Sequence, residues 1–241
     1  MHHFFVPPEW IVGEQIIFGD DVSRQMNNVL RVRAGEKVVA LDNLGNEYLV
    51  EIEDGRSELR GKILDKKKNE AEPPVHLTLL FALAQREKVE WILQKGTEIG
   101  VSRFIPLATE RSLVRETSSV ESKMERWKTI LKEAAEQSGR GMIPKLEKTV
   151  TYSNGLVQIA QLDLALIAWV QEKDNGLEDI LRRKDVRRIG VMIGPEGGFA
   201  EDEYQQAVER GWKSISLGRR VLRMETAALV ASALIINYFE K

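Results

Sequence analysis

The sequence predicts an α/β protein built from two unlike parts. Between Gly35 and Lys68, short β-type runs alternate with turn signals, which is typical of a small antiparallel sheet or barrel. Further along the chain, apolar strands alternate with helical stretches, which indicates a parallel sheet covered on both faces. The polar stretch NEAEPP separates the two patterns, because its two prolines remove backbone donors and disfavour a preceding helix. We therefore place one domain at residues 1–72 and a second at residues 73–241.

Three strands are predicted in the first domain, in the runs EKVVALDN, EYLVEIED and ELRGKILD. Turn signals at 44–46 and 55–57 separate these runs. In the middle run, Tyr48, Val50 and Ile52 alternate with residues that point the other way, as in a half-buried strand.

The second domain has a regular order of strands and helices. Strands are predicted at VHLTLLFALA, RFIPLA, LDLALIAWV, RIGVMIG and SISL. Helices are predicted at REKVEWILQKGTEIG, from Ser119 to Ser138, from near Glu201, and in the apolar C-terminal stretch. In the first of these helices one face carries Val89, Ile92, Leu93 and Gly96.

Composition excludes several kinds of site. The chain has no cysteine, so disulfides, thiolate metal sites and a cysteine nucleophile are excluded, and its three histidines disfavour a histidine-built metal centre. We expect no metal. The start, MHHFFVPPEW, lacks a signal-peptide pattern, and the longest uncharged stretch falls short of the ~20 apolar residues that span a bilayer. We expect a cytoplasmic protein without a membrane partner.

The glycine-rich stretch Gly194–Gly198 follows an apolar strand, where open α/β sheets bind ligands. Glycines let the backbone approach a ligand closely. The spacing matches neither dinucleotide nor P-loop patterns, and Glu196 would repel a pyrophosphate but tolerate the cationic S-adenosylmethionine. A plain turn between strand and helix is the alternative.

Two further segments carry charged side chains at helix ends. In LGRRVLRMETA, Arg223 and Glu225 bracket the start of the last helix, where a cation can meet a developing anion. In EAAEQSGR, Glu136 and Arg140 lie at the end of a long helix. The alternatives are a structural Arg223–Glu225 ion pair and a solvated helix face.

Net charge is −2, so the chain is not globally basic, but RNA contacts depend on local patches. Two basic clusters lie in the first domain: Arg24, Arg31, Arg33 and Lys37, then Arg60, Lys62, Lys66, Lys67 and Lys68. Solvated surface is the alternative for such charge runs.

Five motifs in order resemble the RsmE-type 16S ribosomal RNA uridine-N3 methyltransferases of the SPOUT superfamily. They are KGTEIGV, RSLVR, EAAEQSGR, IGPEGGF and LGRRVLRMETA. The starts MHHFFV and NNVLRVRAG resemble the family's PUA-like RNA-binding domain, so the likeness spans nearly the whole chain. The chain departs from the family pattern at His3, where arginine is frequent, and near Met26, where histidine is frequent.

The resemblance implies an N-terminal PUA-like β-barrel and a C-terminal SPOUT domain with a trefoil knot, although knots are rare in proteins. It implies a homodimer that acts on ribosomal RNA or the small ribosomal subunit with S-adenosyl-L-methionine as cofactor. The implied cofactor-binding residues are Ile193, Gly194, Pro195, Glu196, Gly197, Gly198, Leu217, Gly218, Val221 and Leu222, and the expected RNA-binding residues are Arg24, Arg31, Arg33 and Lys66.

Methylation at uridine N3 requires loss of a weakly acidic imide proton. Arg223 and Arg140 are the candidates that stabilise the resulting anion, and Glu225 or Glu136 would orient them or receive the proton. Ribose 2′-O methylation, a nucleotide-binding enzyme and a non-catalytic RNA-binding protein remain the alternatives.

Overall fold

The structure, a computed structural model, describes residues 1–53, 59–112, 122–182 and 185–241. Contacts group the chain into two compact units. The first comprises Met1–Glu72 with Ala135–Ile143, and the second comprises Pro73–Ala134 with Pro144–Lys241. Residues 135–143, which the sequence analysis assigned to the second domain, cluster with the first unit because Ala135 packs in a core cluster with Phe5, Val39 and Leu41.

The first unit contains a six-stranded sheet. Its elements are β1 (His3–Phe5), β2 (Ile11–Val12), β3 (Gln15–Ile17), α1 (Asp20–Arg24), β4 (Lys37–Leu41), β5 (Asn46–Glu53) and β6 (Arg60–Lys68). The strand order is β1-β4-β5-β6-β3-β2. The first strand is parallel to β4, and the remaining pairs are antiparallel.

One buried cluster gathers side chains from across this sheet, because the sheet curls into a half-barrel. Phe4 from one edge strand, Ile16 from β3 and Val50 from the centre belong to the same buried cluster. Tyr48, Val50 and Ile52 are buried, as their alternation predicted. The predicted strands at the centre of the sheet are confirmed, whereas the predicted turn at 55–57 lies outside the described residues.

A π-helical turn, Gln25–Leu30, follows α1 and ends at Arg31, whose φ of 55° and ψ of 39° are left-handed. Met26 within it is fully buried. Of the residues at which the chain departs from the family pattern here, Arg24, Gln25 and Met26, only Met26 is a core position.

The second unit alternates strands with helices. Its elements are β7 (His76–Ala82), α2 (Arg86–Ile99), β8 (Arg103–Ala108), α3 (Met124–Ser138), β9 (Lys145–Leu146), β10 (Val150–Thr151), α4 (Tyr152–Leu156), β11 (Leu164–Ala168), α5 (Leu177–Leu181), β12 (Arg188–Ile193), α6 (Glu201–Glu209), β13 (Lys213–Ile215) and α7 (Met224–Glu240). The last four residues of α3 belong to the first unit. The predicted start of this helix at Ser119 lies outside the described residues.

All strand pairs of this sheet are parallel, as predicted, in the order β10-β8-β7-β12-β11-β13, with β9 also beside β8. Leu77, Leu79 and Leu80 on a central strand are fully buried, because helices cover both faces. The chain leaves β13 at the edge of the sheet, yet α7 packs on α2, β7 and β12 near its middle. The resemblance to the SPOUT superfamily predicts such a return of the last helix.

Within the described residues, no helix has the length and apolarity that a membrane span requires.

Candidate functional site

Three loops at the carboxyl ends of β11, β12 and β13 form a cleft that opens to solvent. The loop after β12, residues 194–199, is called the glycine loop below. The loop after β13, residues 216–223, is called the arginine loop. The carboxyl ends of parallel strands lie at one edge of a sheet, so the three loops meet there.

All of the predicted cofactor-binding residues except Gly197 line this cleft: Ile193, Gly194, Pro195, Glu196, Gly198, Leu217, Gly218, Val221 and Leu222. The carbonyl oxygen of Gly197 instead accepts a hydrogen bond from Nη1 of Arg111 at 3.0 Å. The structure thus brings two distant segments of the predicted set together in one cleft, while their role in binding stays a prediction.

The glycine loop makes a tight turn that needs its glycines. The amide of Gly198 donates to the carbonyl oxygen of Pro195 at 2.8 Å, and Gly198 has a φ of +68°. A Cβ atom on Gly194 would lie 3.1 Å from the ring of the buried Phe199. The loop is therefore close-packed at its first residue and left-handed at its fifth, two conditions that glycine meets.

Trp169, just after β11, is a wall of the cleft that the sequence analysis missed. Its ring stacks on that of Tyr204 in α6, with centroids 4.5 Å apart and planes 11° from parallel. The signal in the sequence was an aromatic residue at the carboxyl end of an apolar strand. This signal could be assigned to the cleft only with the strand order, which places β11 between β12 and β13.

Arg223 caps the start of α7, between Leu222 and Met224, which both line the cleft. Its side chain is exposed. Among the described residues it forms no ion pair with Glu225, so the structural pair considered from the sequence is not observed. The Oε2 atom of Glu225 is buried and accepts no hydrogen bond from the described residues, at a helix N-terminus that favours negative charge.

Lys88 in α2 adds a cation that the sequence analysis did not identify. Its Nζ atom lies 2.5 Å from Oε1 of Glu196, a cleft residue. Partial burial alone would raise the pKa of Glu196, but the hydrogen bond from Lys88 holds that pKa below its usual value. The same bond raises the pKa of Lys88. The charge of Glu225 also raises this pKa, whereas the charge of Arg223 lowers it. Glu196 is therefore an ionised and already paired carboxylate.

Arg140 and Glu136 both belong to the first unit, where each has a partner. Nη2 and Nε of Arg140 lie 2.8 and 3.2 Å from the two carboxylate oxygens of Glu72, and the side chain is 3% exposed. Oε1 of Glu136 accepts a hydrogen bond from the amide of Phe5 at 2.9 Å. These contacts give both residues a packing role, and their catalytic role stays a prediction.

The residues expected to bind RNA are exposed in the first unit. Arg24 pairs with Asp21 at 2.5 Å, and Nζ of Lys66 lies 5.2 Å from the centre of the Tyr48 ring. Arg31 and Arg33 follow the π-helical turn, at the left-handed residue and two residues beyond it. Exposed cations of this kind are available to phosphates.

No group of three or more acidic or histidine side chains is placed to hold a metal ion in the part of the chain that the structure describes.

Comparison with known proteins identifies the family. A model of an RNA methyltransferase domain matches residues 71–236, and a model of an RNA methyltransferase PUA domain matches residues 26–64. A ribosomal RNA small subunit methyltransferase E from Synechocystis is 30% identical over 234 residues, which cover 96% of this chain and 76% of the relative. The chain belongs to the ribosomal RNA small subunit methyltransferase E family.

Solved structures agree with this membership of the methyltransferase E family. The Neisseria gonorrhoeae methyltransferase E, bound to S-adenosylmethionine, shares 32% identity and a TM-score of 0.89, covering 99% of this chain and 98% of its own. A Legionella pneumophila protein with the same bound cofactor shares 29% identity and a TM-score of 0.85, covering 97% and 96%. The predicted family and fold class are confirmed.

Proposed function

We propose that this chain transfers a methyl group from S-adenosyl-L-methionine to N3 of a uridine in 16S ribosomal RNA. The observation that carries the proposal is the single cleft formed by the glycine and arginine loops, in a chain of the methyltransferase E family. The methyltransferase E of Neisseria gonorrhoeae was solved with this cofactor bound.

The chemistry of the cleft fits such a cofactor. Ile193, Phe199 and Leu217 provide apolar surface for a purine ring, and Gly218 leaves open space where a Cβ atom would stand. Glu196 provides a carboxylate beside a molecule with two positive charges, and its pairing with Lys88 keeps it ionised. The bound cofactor would supply an electrophilic methyl group on a sulfonium.

The chain itself must provide the charge and the proton acceptor at the base. Arg223 would stabilise the uridine anion electrostatically, because it lies between two cleft residues with no carboxylate pairing its charge among the described residues. Glu225 would orient Arg223 or receive the N3 proton, since one of its oxygens has no hydrogen-bond partner among the described residues. We rank Arg140 and Glu136 behind them, because Glu72 and Phe5 already engage their side chains.

The first unit would bind the RNA through phosphate contacts of Arg24, Arg31, Arg33 and Lys66. We further propose a cytoplasmic homodimer. Support for the dimer comes from α7, an apolar helix with Leu234 half-exposed, because such a helix is stabilised when its faces are covered.

Calorimetry tests the cofactor assignment. We expect S-adenosylmethionine to bind without added metal, whereas ATP and NAD should not bind measurably, because the glycine loop lacks their phosphate-binding patterns. Tight binding of ATP or NAD with no binding of S-adenosylmethionine would contradict the proposal.

Replacement of Arg31 and Arg33 by alanine is expected to weaken RNA binding and flatten its salt dependence. A plot of log affinity against log salt has a negative slope. For each phosphate that the protein no longer neutralises, this slope should become shallower by roughly 0.7–0.9. The measurement is RNA affinity over a salt series. Lys128→Ala, which removes an exposed charge in the second unit, is the matched control and should leave the slope unchanged. Unchanged RNA affinity and an unchanged salt slope in the double variant would show that other residues bind the RNA.

A further inference from the structure

The turn that follows β8, residues 109–112, contacts the glycine loop. It includes the first two residues of the RSLVR motif, for which the proposed function has no use. The rest of that motif, from Leu113, lies outside the described residues. Oγ1 of Thr109 and Oγ of Ser112 are 2.8 Å apart, and the Thr109 amide donates to Oγ of Ser112 at 3.1 Å. Because both side chains are buried, the turn has a fixed shape of its own.

Arg111 extends from this turn to two carbonyl oxygens of the glycine loop. Its Nη1 atom donates to Gly197 at 3.0 Å and to Phe199 at 3.3 Å. Arg111 does not line the cleft. The two carbonyl groups are therefore held by a cation outside the cleft.

Glu203 makes the second connection, from the first turn of α6. Its Oε1 atom accepts from the amide of Glu110 at 2.9 Å, and its Oε2 atom accepts from the amide of Ala200 at 3.0 Å. Glu203 is 6% exposed, so these bonds form in a low-dielectric site where they are strong. One carboxylate thus joins the turn after β8 to the residue that follows the glycine loop.

A loop with three glycines loses much conformational entropy when it is ordered, and a ligand that has to order it binds more weakly. We propose that Arg111 and Glu203 are positioning residues that hold the glycine loop in its cofactor-binding conformation. The inference rests on the proposed function, since it takes S-adenosylmethionine as the ligand of this loop.

The test compares Arg111→Met and Arg111→Lys with the wild-type protein. In Arg111→Met we expect the Kd for S-adenosylmethionine, measured by calorimetry, to rise about tenfold, which corresponds to about 1.4 kcal/mol. KM for the cofactor should rise in step, while kcat at saturating cofactor stays within about twofold. Lysine should restore part of the affinity, because its ammonium can donate to one of the two carbonyl oxygens.

Arg103→Met is the matched control, because Arg103 begins β8, the strand that leads into this turn, but pairs with Glu147 and Gln161. It should bind the cofactor as the wild type does. In the double variant Arg111→Met, Glu203→Gln, the factor by which Kd rises should be smaller than the product of the factors in the two single variants, because both residues act on one loop.

An unchanged Kd in Arg111→Met would overturn the inference, as would a loss of affinity that accompanies a fall in Tm and that lysine does not restore. Wild-type protein that fails to bind S-adenosylmethionine would instead overturn the proposed function, so the two failures are distinguishable.

Discussion

Replacement of Arg223 by alanine is expected to lower the single-turnover rate of RNA methylation by about a hundred- to a thousandfold. Arg223 is the N-cap residue of α7, between two cleft residues, and no carboxylate pairs the charge of its exposed side chain among the described residues. It can therefore interact with negative charge that develops on the uridine. Calorimetry should show a cofactor Kd within about twofold of the wild type, because Arg223 itself does not line the cleft.

The pH dependence separates this catalytic role from a structural one. Higher pH should partly restore the rate of Arg223→Ala, because a larger fraction of the uridine is then deprotonated without help from a cation. Lys213→Ala removes an exposed charge from β13 and should leave the rate unchanged. If Arg223→Ala instead reduced cofactor affinity or lowered Tm, with no rescue at high pH, Arg223 would be a structural residue.

Replacement of Gly218 by valine is expected to raise the Kd for S-adenosylmethionine by roughly a hundredfold or more. Gly218 lines the cleft with a φ of +111°, a conformation that strains a β-branched residue by about 1–3 kcal/mol. Its new side chain would also extend into open space at the cleft, where no atom of the described residues lies within 4 Å of the Cβ position. Cofactor calorimetry measures the effect.

Gly35→Val provides the matched control for strain. Gly35 has a φ of +85°, has no neighbour within 4 Å of its Cβ position in the part of the chain that the structure describes, and lies in the first unit. Gly35→Val should lower Tm about as much as Gly218→Val does, because both strain the backbone. It should not change the affinity for S-adenosylmethionine. Equal cofactor affinity in Gly218→Val and the wild type would show that the arginine loop does not bind the cofactor.

The two segments that line the cleft could be predicted because local sequence carries their signals. A strand that runs into Gly194–Gly198, and a basic loop that precedes an apolar helix, are each visible in a single stretch of chain. Gly197 shows the limit of this reasoning. Its glycine pattern resembles that of its neighbours, yet its carbonyl oxygen faces Arg111, which is remote in sequence.

Partners that depend on long-range packing could not be predicted. Lys88 and Glu196 are 108 residues apart, and Arg140 and Glu72 are 68 apart, so no periodicity connects them. The parallel pairing of β1 with β4 and the clustering of residues 135–143 with the first unit have the same origin. Such contacts follow from the tertiary fold. The family resemblance predicted that fold, whereas hydrophobic patterning did not.

Nucleoside mass spectrometry of 16S ribosomal RNA tests the central claim most directly. The RNA is taken from cells with and without this protein, and again after incubation of the unmodified RNA with purified protein and S-adenosylmethionine. The proposed function predicts N3-methyluridine that is absent without the protein and restored by it. A 2′-O-methylated nucleoside in its place, or no change in any methylated uridine, would contradict methylation at N3.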